Sequence, residues 1–118
     1  MCLDCGIYWE LKAEEDNAVA DEGYVFKAAV ANVYEEAQEV LLKKHQDYGP
    51  KNISDSPGGP LNGLRVRMHD KLARINNLID SGVEPENESL RDSFLDLMNY
   101  SAIAMLVLDG NWPTSGQG

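Results

Sequence analysis

The chain has 118 residues, 43% of them hydrophobic, with 20 acidic against 10 basic side chains and a formal net charge of −10. That length supports one domain with a modest core and a single site, shared between subunits if the chain assembles. The acidic balance argues against a nucleic-acid backbone or an anionic membrane as partner, and no apolar stretch approaches the length of a membrane span.

Residues 1–23 read as an N-terminal extension: a short aromatic patch, IYWEL, then an acidic, alanine-containing stretch to Gly23. Cys2 and Cys5 form a CxxC, but two thiols are half a zinc site, and no second CxxC or HxxxH follows. A redox CxxC normally opens a helix in a βαβ setting, so reduced thiols with no function are expected. The opening residues lack the basic start and apolar run of a signal peptide. A soluble, cytoplasmic protein is expected, working in the host cytoplasm if phage-encoded.

From Tyr24 the spacing of Phe26, Val30, Val33, Ala37, Val40 and Leu41 predicts a helix to about His45. Asp47-Tyr48-Gly49-Pro50 stops it, since glycine ends helices and proline cannot continue them. The segment KNISDSPGGPLNG then has the length and composition of a functional loop or lid. A second helix is predicted from about Leu64 to Asp80, with Leu64, Met68, Leu72, Ile75 and Ile79 facing the core and Ser81-Gly82 closing it. The third is predicted from Asn87 or Glu88 to Leu108, ended by Asp109-Gly110 and Trp112-Pro113, with 113–118 a disordered tail. Without repeats or strand-like alternation the fold class is all-α: an antiparallel bundle of three main helices over 24–112, completed by oligomerisation.

Glu88, Asp92 and Asp96 recur every four residues and, on a helix, form an acidic stripe running into the apolar SAIAMLVL. Repulsion between such neighbours opposes the helix by a few tenths of a kcal/mol per pair, roughly, and desolvation beside apolar groups costs more unless a cation compensates. A divalent metal would supply that cation. On the first helix Asn32, Glu36, Glu39 and Lys43 share a polar edge, with Glu35 further toward solvent. This edge is either a solvated flank with a Glu39–Lys43 pair or the other half of a metal site. Oxygen-only ligation suits Mg²⁺ or Mn²⁺, which keep waters and bind substrate phosphates. His45 and His69 read as capping or surface residues.

Most of the basic residues (Lys43, Lys44, Lys51, Arg65, Arg67, Lys71 and Arg74) cluster mid-chain. Arg67, Lys71 and Arg74, at i, i+4 and i+7, form a strip that is either solvated or available to a triphosphate, with Lys44 contributing. Tyr48 and Asn52, with Asn99-Tyr100, suit stacking on a base or hydrogen bonding to its edge.

EExxE on one helix and a spaced acidic pair on a later one resemble the all-α nucleoside triphosphate pyrophosphohydrolases, the MazG-like superfamily that includes dimeric dUTPases. More specifically, KHQDYGPKNI, GLRVRMHDKLARINNLI and NESLRDSFLDLMNYSAIA look like the phage nucleotide-modification-associated domain placed within or near that superfamily, over roughly residues 28–112. The resemblance implies Mg²⁺-dependent cleavage of a (d)NTP between its α and β phosphates, giving (d)NMP and pyrophosphate, in a dimer or tetramer. Glu36 and Glu39 match the second and third acids of EExxE. The later ExxD motif departs from the family, because the spacing here is four and Ser93 stands three before Asp96. Asp96-Leu97-x-x-Tyr100 is similar to the family's DVLxYL pattern, which implies Asp92 and Asp96 as the remaining metal ligands. Glu35 or Glu88 would then orient the water, and Lys44, Lys71 and Arg74 would hold the outer phosphates. A non-catalytic nucleotide sponge or sensor on the same scaffold is the alternative, and a purely structural helical oligomer a third reading.

Overall fold

A computed structural model describes residues 17–113, with side chains from Glu22 onward. The CxxC, the IYWEL patch and most of the tail lie outside the described residues. All regular structure among the described residues is helical: α1 (Asn17–Tyr48), α2 (Lys51–Ser54), α3 (Pro60–Ser81) and α4 (Leu90–Leu108). No helix among them is long and apolar enough to cross a membrane. The all-α expectation holds, with three long helices at the places the apolar periodicity marks.

Boundaries differ in instructive ways. α1 starts at Asn17 rather than Tyr24, so Asn17–Gly23 belong to the helix. The predicted loop contains the short α2, which buries Ile53. α3 begins one turn early because Pro60 sits at its first turn, where a missing N–H costs nothing. It ends at Gly82, whose φ of 68° is the left-handed cap that glycine adopts without penalty. α4 begins at Leu90 behind Ser89, which forms a capping box with Asp92: the Asp92 N–H donates to Ser89 Oγ at 3.0 Å, and the Ser89 N–H donates to Asp92 Oδ2 at 3.2 Å. Glu88 therefore precedes the helix, and the three-acid ladder is not a helical stripe along its whole length.

Contacts divide the chain between Glu36 and Ala37, inside α1. In the N-terminal unit, α1 exposes Val25, Phe26, Val30, Val33 and Tyr34. The C-terminal unit holds the rest of α1 and the other three helices. Its core centres on Ala37, Ile53, Leu64 and Ile75, each at most 4% exposed, with the most extensive packing between α3 and α4. Burying a side chain such as Leu64 or Ile75 is worth roughly 1.5–3 kcal/mol. Leu72 and Ile79, expected in this core, are instead 50% and 58% exposed, while Met68 is half-buried. Phe94, Met105 and Leu108 on α4 are exposed as well. At Gly63 a β-carbon would collide with Ser56, so the loop after α2 packs directly on the α3 backbone.

Candidate functional site

The C-terminal unit brings two different polar clusters onto α4. The first is a charge cluster at the α4 N-terminus. Lys71, on α3, reaches across to Glu88 Oε2 and Asp96 Oδ2, both at 2.9 Å, and Lys44 from the end of α1 lies 3.2 Å from Asp96 Oδ1. One turn along α3, Arg74 donates to Ser93 Oγ at 2.8 Å and to the Glu88 carbonyl oxygen. Ser93 is fully buried, and its hydroxyl donates to Glu88 Oε2 at 3.3 Å. Asp96 and Lys71 are only 14% and 20% exposed at their side chains. Burial, the largest influence on Asp96, works to raise its pKa, but the ammonium groups of Lys71 and Lys44 outweigh it and hold the carboxyl below its ordinary range. Burial likewise works to lower Lys71, and hydrogen bonds with Glu88 and Asp96 and their charges outweigh it, leaving the ammonium above its ordinary pKa.

The second cluster lines a cavity of about 310 Å³, at the small end of the range typical of ligand sites. Four helices and the segment after α4 build it. Leu41, Lys44, His45 and Tyr48 come from the last turns of α1; Asp96, Asn99, Tyr100 and Ile103, at i, i+3, i+4 and i+7, share one face of α4. Asn52 and Ile53 of α2, Arg67 of α3 and Trp112 complete the wall. The Trp112 indole N–H donates to the Pro50 carbonyl at 3.1 Å, and the ring meets His45 edge-on at a centroid distance of 5.2 Å. These contacts pin the segment after α4 against the α1–α2 corner. Arg67 donates to the Asn52 carbonyl at 3.2 Å, holding α2 on α3, while its Nη1 and the Nδ1 of His45 are sealed from solvent without a partner.

Asn99 is the buried polar residue of this wall. It is 8% exposed, and its side-chain amide makes no hydrogen bond among the described residues. The amide is not among the side-chain groups sealed from solvent, so it is open to a ligand in the cavity.

The anticipated site residues thus fall into groups. Lys44, Tyr48, Asn52, Arg67, Asp96 and Asn99 meet around the cavity. Lys71 and Arg74 are engaged with Glu88, Asp96 and Ser93, so their cationic groups are already paired. Asp92 is exposed and its carboxylate serves the cap, and Glu39 is exposed on α1 outside the cavity wall. Glu35 is exposed and Glu36 half-buried in the N-terminal unit. Among the described residues no group of three or more His, Cys, Asp or Glu gathers as a metal would require. Both oxygens of Asp96 already face ammonium groups.

Two cavity residues escaped the sequence reading. His45 was placed at a surface or cap and instead backs the cavity against Trp112, which was read only as part of a stop signal. The S-x-x-D capping box, by contrast, stands in the sequence as Ser89-Leu90-Arg91-Asp92 and marks the start of α4 directly.

No curated protein and no solved structure matches the chain. Residues 44–108, more than half of the chain, match the family described as nucleotide modification associated domain 1, and this span includes Lys71, Glu88, Asp96 and Asn99. The chain belongs to the nucleotide modification associated domain 1 family.

Proposed function

We propose that the cavity is a nucleotide site and that the ligand of this domain is a nucleoside phosphate. The observation that carries this reading is the sequence of environments along one face of α4: Asp96 with its lysines, then the unpartnered amide of Asn99, then Tyr100 and Ile103 facing Trp112 across the cavity. A heteroaromatic base suits the aromatic end, and Lys44 at the other is a cation that a phosphate can take from Asp96. Titration calorimetry with a panel of ribo- and deoxyribonucleoside mono- and triphosphates tests it. Saturable binding of at least one is expected, and no heat with any of them at millimolar concentration sinks the reading.

For the reaction, the resemblance to MazG-like enzymes supports cleavage of a (d)NTP to (d)NMP and pyrophosphate with Mg²⁺. The saturated carboxylates favour the alternative, a nucleotide-binding module without hydrolysis. Pyrophosphate release from each (d)NTP with Mg²⁺, abolished in Asp96→Asn and Glu39→Ala, establishes the enzyme. Tight binding without turnover establishes the binding module.

A further inference from the structure

Asn99 in the cavity wall makes no hydrogen bond among the described residues, and its amide, unlike Arg67 Nη1 and His45 Nδ1, is not sealed from solvent. Asn99 is more than nine-tenths buried on a helix that packs closely on α3, and its amide lines the cavity unpaired. Tyr100 and Ile103 on the same face, with Trp112 and Leu41 in the wall, supply flat and apolar surface, while Lys44, His45, Tyr48, Asn52, Arg67 and Asp96 supply the other polar groups of the cavity. A primary amide offers one acceptor and two donors side by side, the complement of an adjacent donor–acceptor pair on a nucleobase edge. From this juxtaposition we propose that Asn99 is the specificity-determining residue of the site and reads the hydrogen-bonding edge of the base. The inference rests on the nucleotide reading above and deepens it: phosphate contacts at Lys44 position the ligand, and Asn99 decides which base is accepted.

The chemistry predicts the direction of change. Asn99→Leu keeps the volume and removes both hydrogen-bonding functions, so base discrimination collapses. Asn99→Asp keeps the shape but becomes acceptor-only, and guanine alone among the common bases presents two adjacent donors, N1–H and the 2-amino group. The experiment measures affinities of adenine, guanine, cytosine and uracil or thymine triphosphates for wild type and both variants, with inorganic triphosphate as a competitor that has no base. Wild type is expected to favour one base by about tenfold or more, the worth of a bidentate pair. Asn99→Leu should flatten that spread, and Asn99→Asp should move guanine up the order, while inorganic triphosphate competes equally with all three proteins. Circular dichroism confirms the fold, and either folded variant suffices. If the variants keep the wild-type order and spread, or wild type binds all bases alike, the role of Asn99 is refuted while the nucleotide site stands. If wild type binds no nucleotide, the site itself falls.

Discussion

Two polar clusters lie within two turns of each other on α4, and they differ in whether the chain satisfies them. At the N-terminal end every charge has an internal answer: Lys71 meets Glu88 and Asp96, and Arg74 meets Ser93 and the Glu88 backbone. At Asn99 the described residues supply no hydrogen-bond partner. Half-buried ion pairs with both partners present lock the start of α4 to α3, whereas an open buried amide does nothing for the free protein. The difference separates residues that hold the scaffold from a residue left open to the cavity, although both look alike as polar positions on a helix.

The largest effect should come from Arg74. Arg74→Met removes two hydrogen bonds at the α3–α4 junction, one to a fully buried hydroxyl. A loss of about 3 kcal/mol is expected, read as a lower urea midpoint with an unchanged slope. A variant as stable as wild type, but weakened in triphosphate binding, would return Arg74 to the phosphate-binding role that its place in the basic strip suggests.

Lys71→Met comes next, at roughly 2 kcal/mol near neutral pH, because it leaves Glu88 and Asp96 facing each other with only Lys44 to compensate. The pH dependence follows from the shifts. The Asp96 pKa is lowered in the folded state, so its contribution is present above the ordinary carboxylate pKa of about 4 and is lost as pH falls through the lower folded value. The Lys71 pKa is raised, so its contribution is present below about pH 10.4 and is lost as pH rises through the higher folded value. The gap in melting temperature between wild type and Lys71→Met should therefore be flat from about pH 5 to 9 and close as the solution is made more acidic. A gap that persists to pH 2 would mean that packing of the lysine stem, not its charge, carries the effect.

The reach of sequence reasoning follows the same division. Helical periodicity located α1, α3 and α4, because 3.6-residue spacing of Leu64, Ile75 and their neighbours is a local property. It placed Leu72 and Ile79 in the core as well, since a period defines an apolar face without saying whether the same chain covers it. The four-residue step of Glu88, Asp92 and Asp96 suggested one continuous stripe, yet Ser89 caps the helix between the first acid and the second. That stripe suggests a compensating divalent metal; the fold places Lys71 and Lys44 against two of its acids, from 17 and more residues away, where no local pattern shows them. The cavity residues Tyr48, Asn52, Arg67 and Asn99 were legible by chemical type alone. His45 and Trp112 were not, because their pairing depends on how the end of α4 returns to the end of α1.

Trp112 marks the border between the two clusters' roles. Trp112→Phe keeps a ring against His45 but removes the indole N–H that binds the Pro50 carbonyl. About 1 kcal/mol of stability should be lost, with ligand affinity falling only as far as the cavity wall loosens. A nucleotide affinity reduced far more than stability would move Trp112 from the scaffold to the ligand-contacting surface.

The smallest effect has the most to say about the comparison. Substituting Lys71 breaks pairs that exist, but Asn99→Leu breaks none in the ligand-free protein. It replaces a buried, unpaired amide with an apolar group of similar size, on a face already shared with Ile103. No hydrogen bond among the described residues is lost, so the free variant should be as stable as wild type to within about 1 kcal/mol. Saturating nucleotide should reverse the order, because only wild type gains the base contact on top of the phosphate contacts and binding adds to stability through mass action. Melting curves with and without a nucleoside triphosphate read both halves on the same samples. If Asn99→Leu is destabilised by 2 kcal/mol or more without ligand, the amide has a structural partner in solution, and Asn99 belongs with Arg74 and Lys71 as a residue of the scaffold.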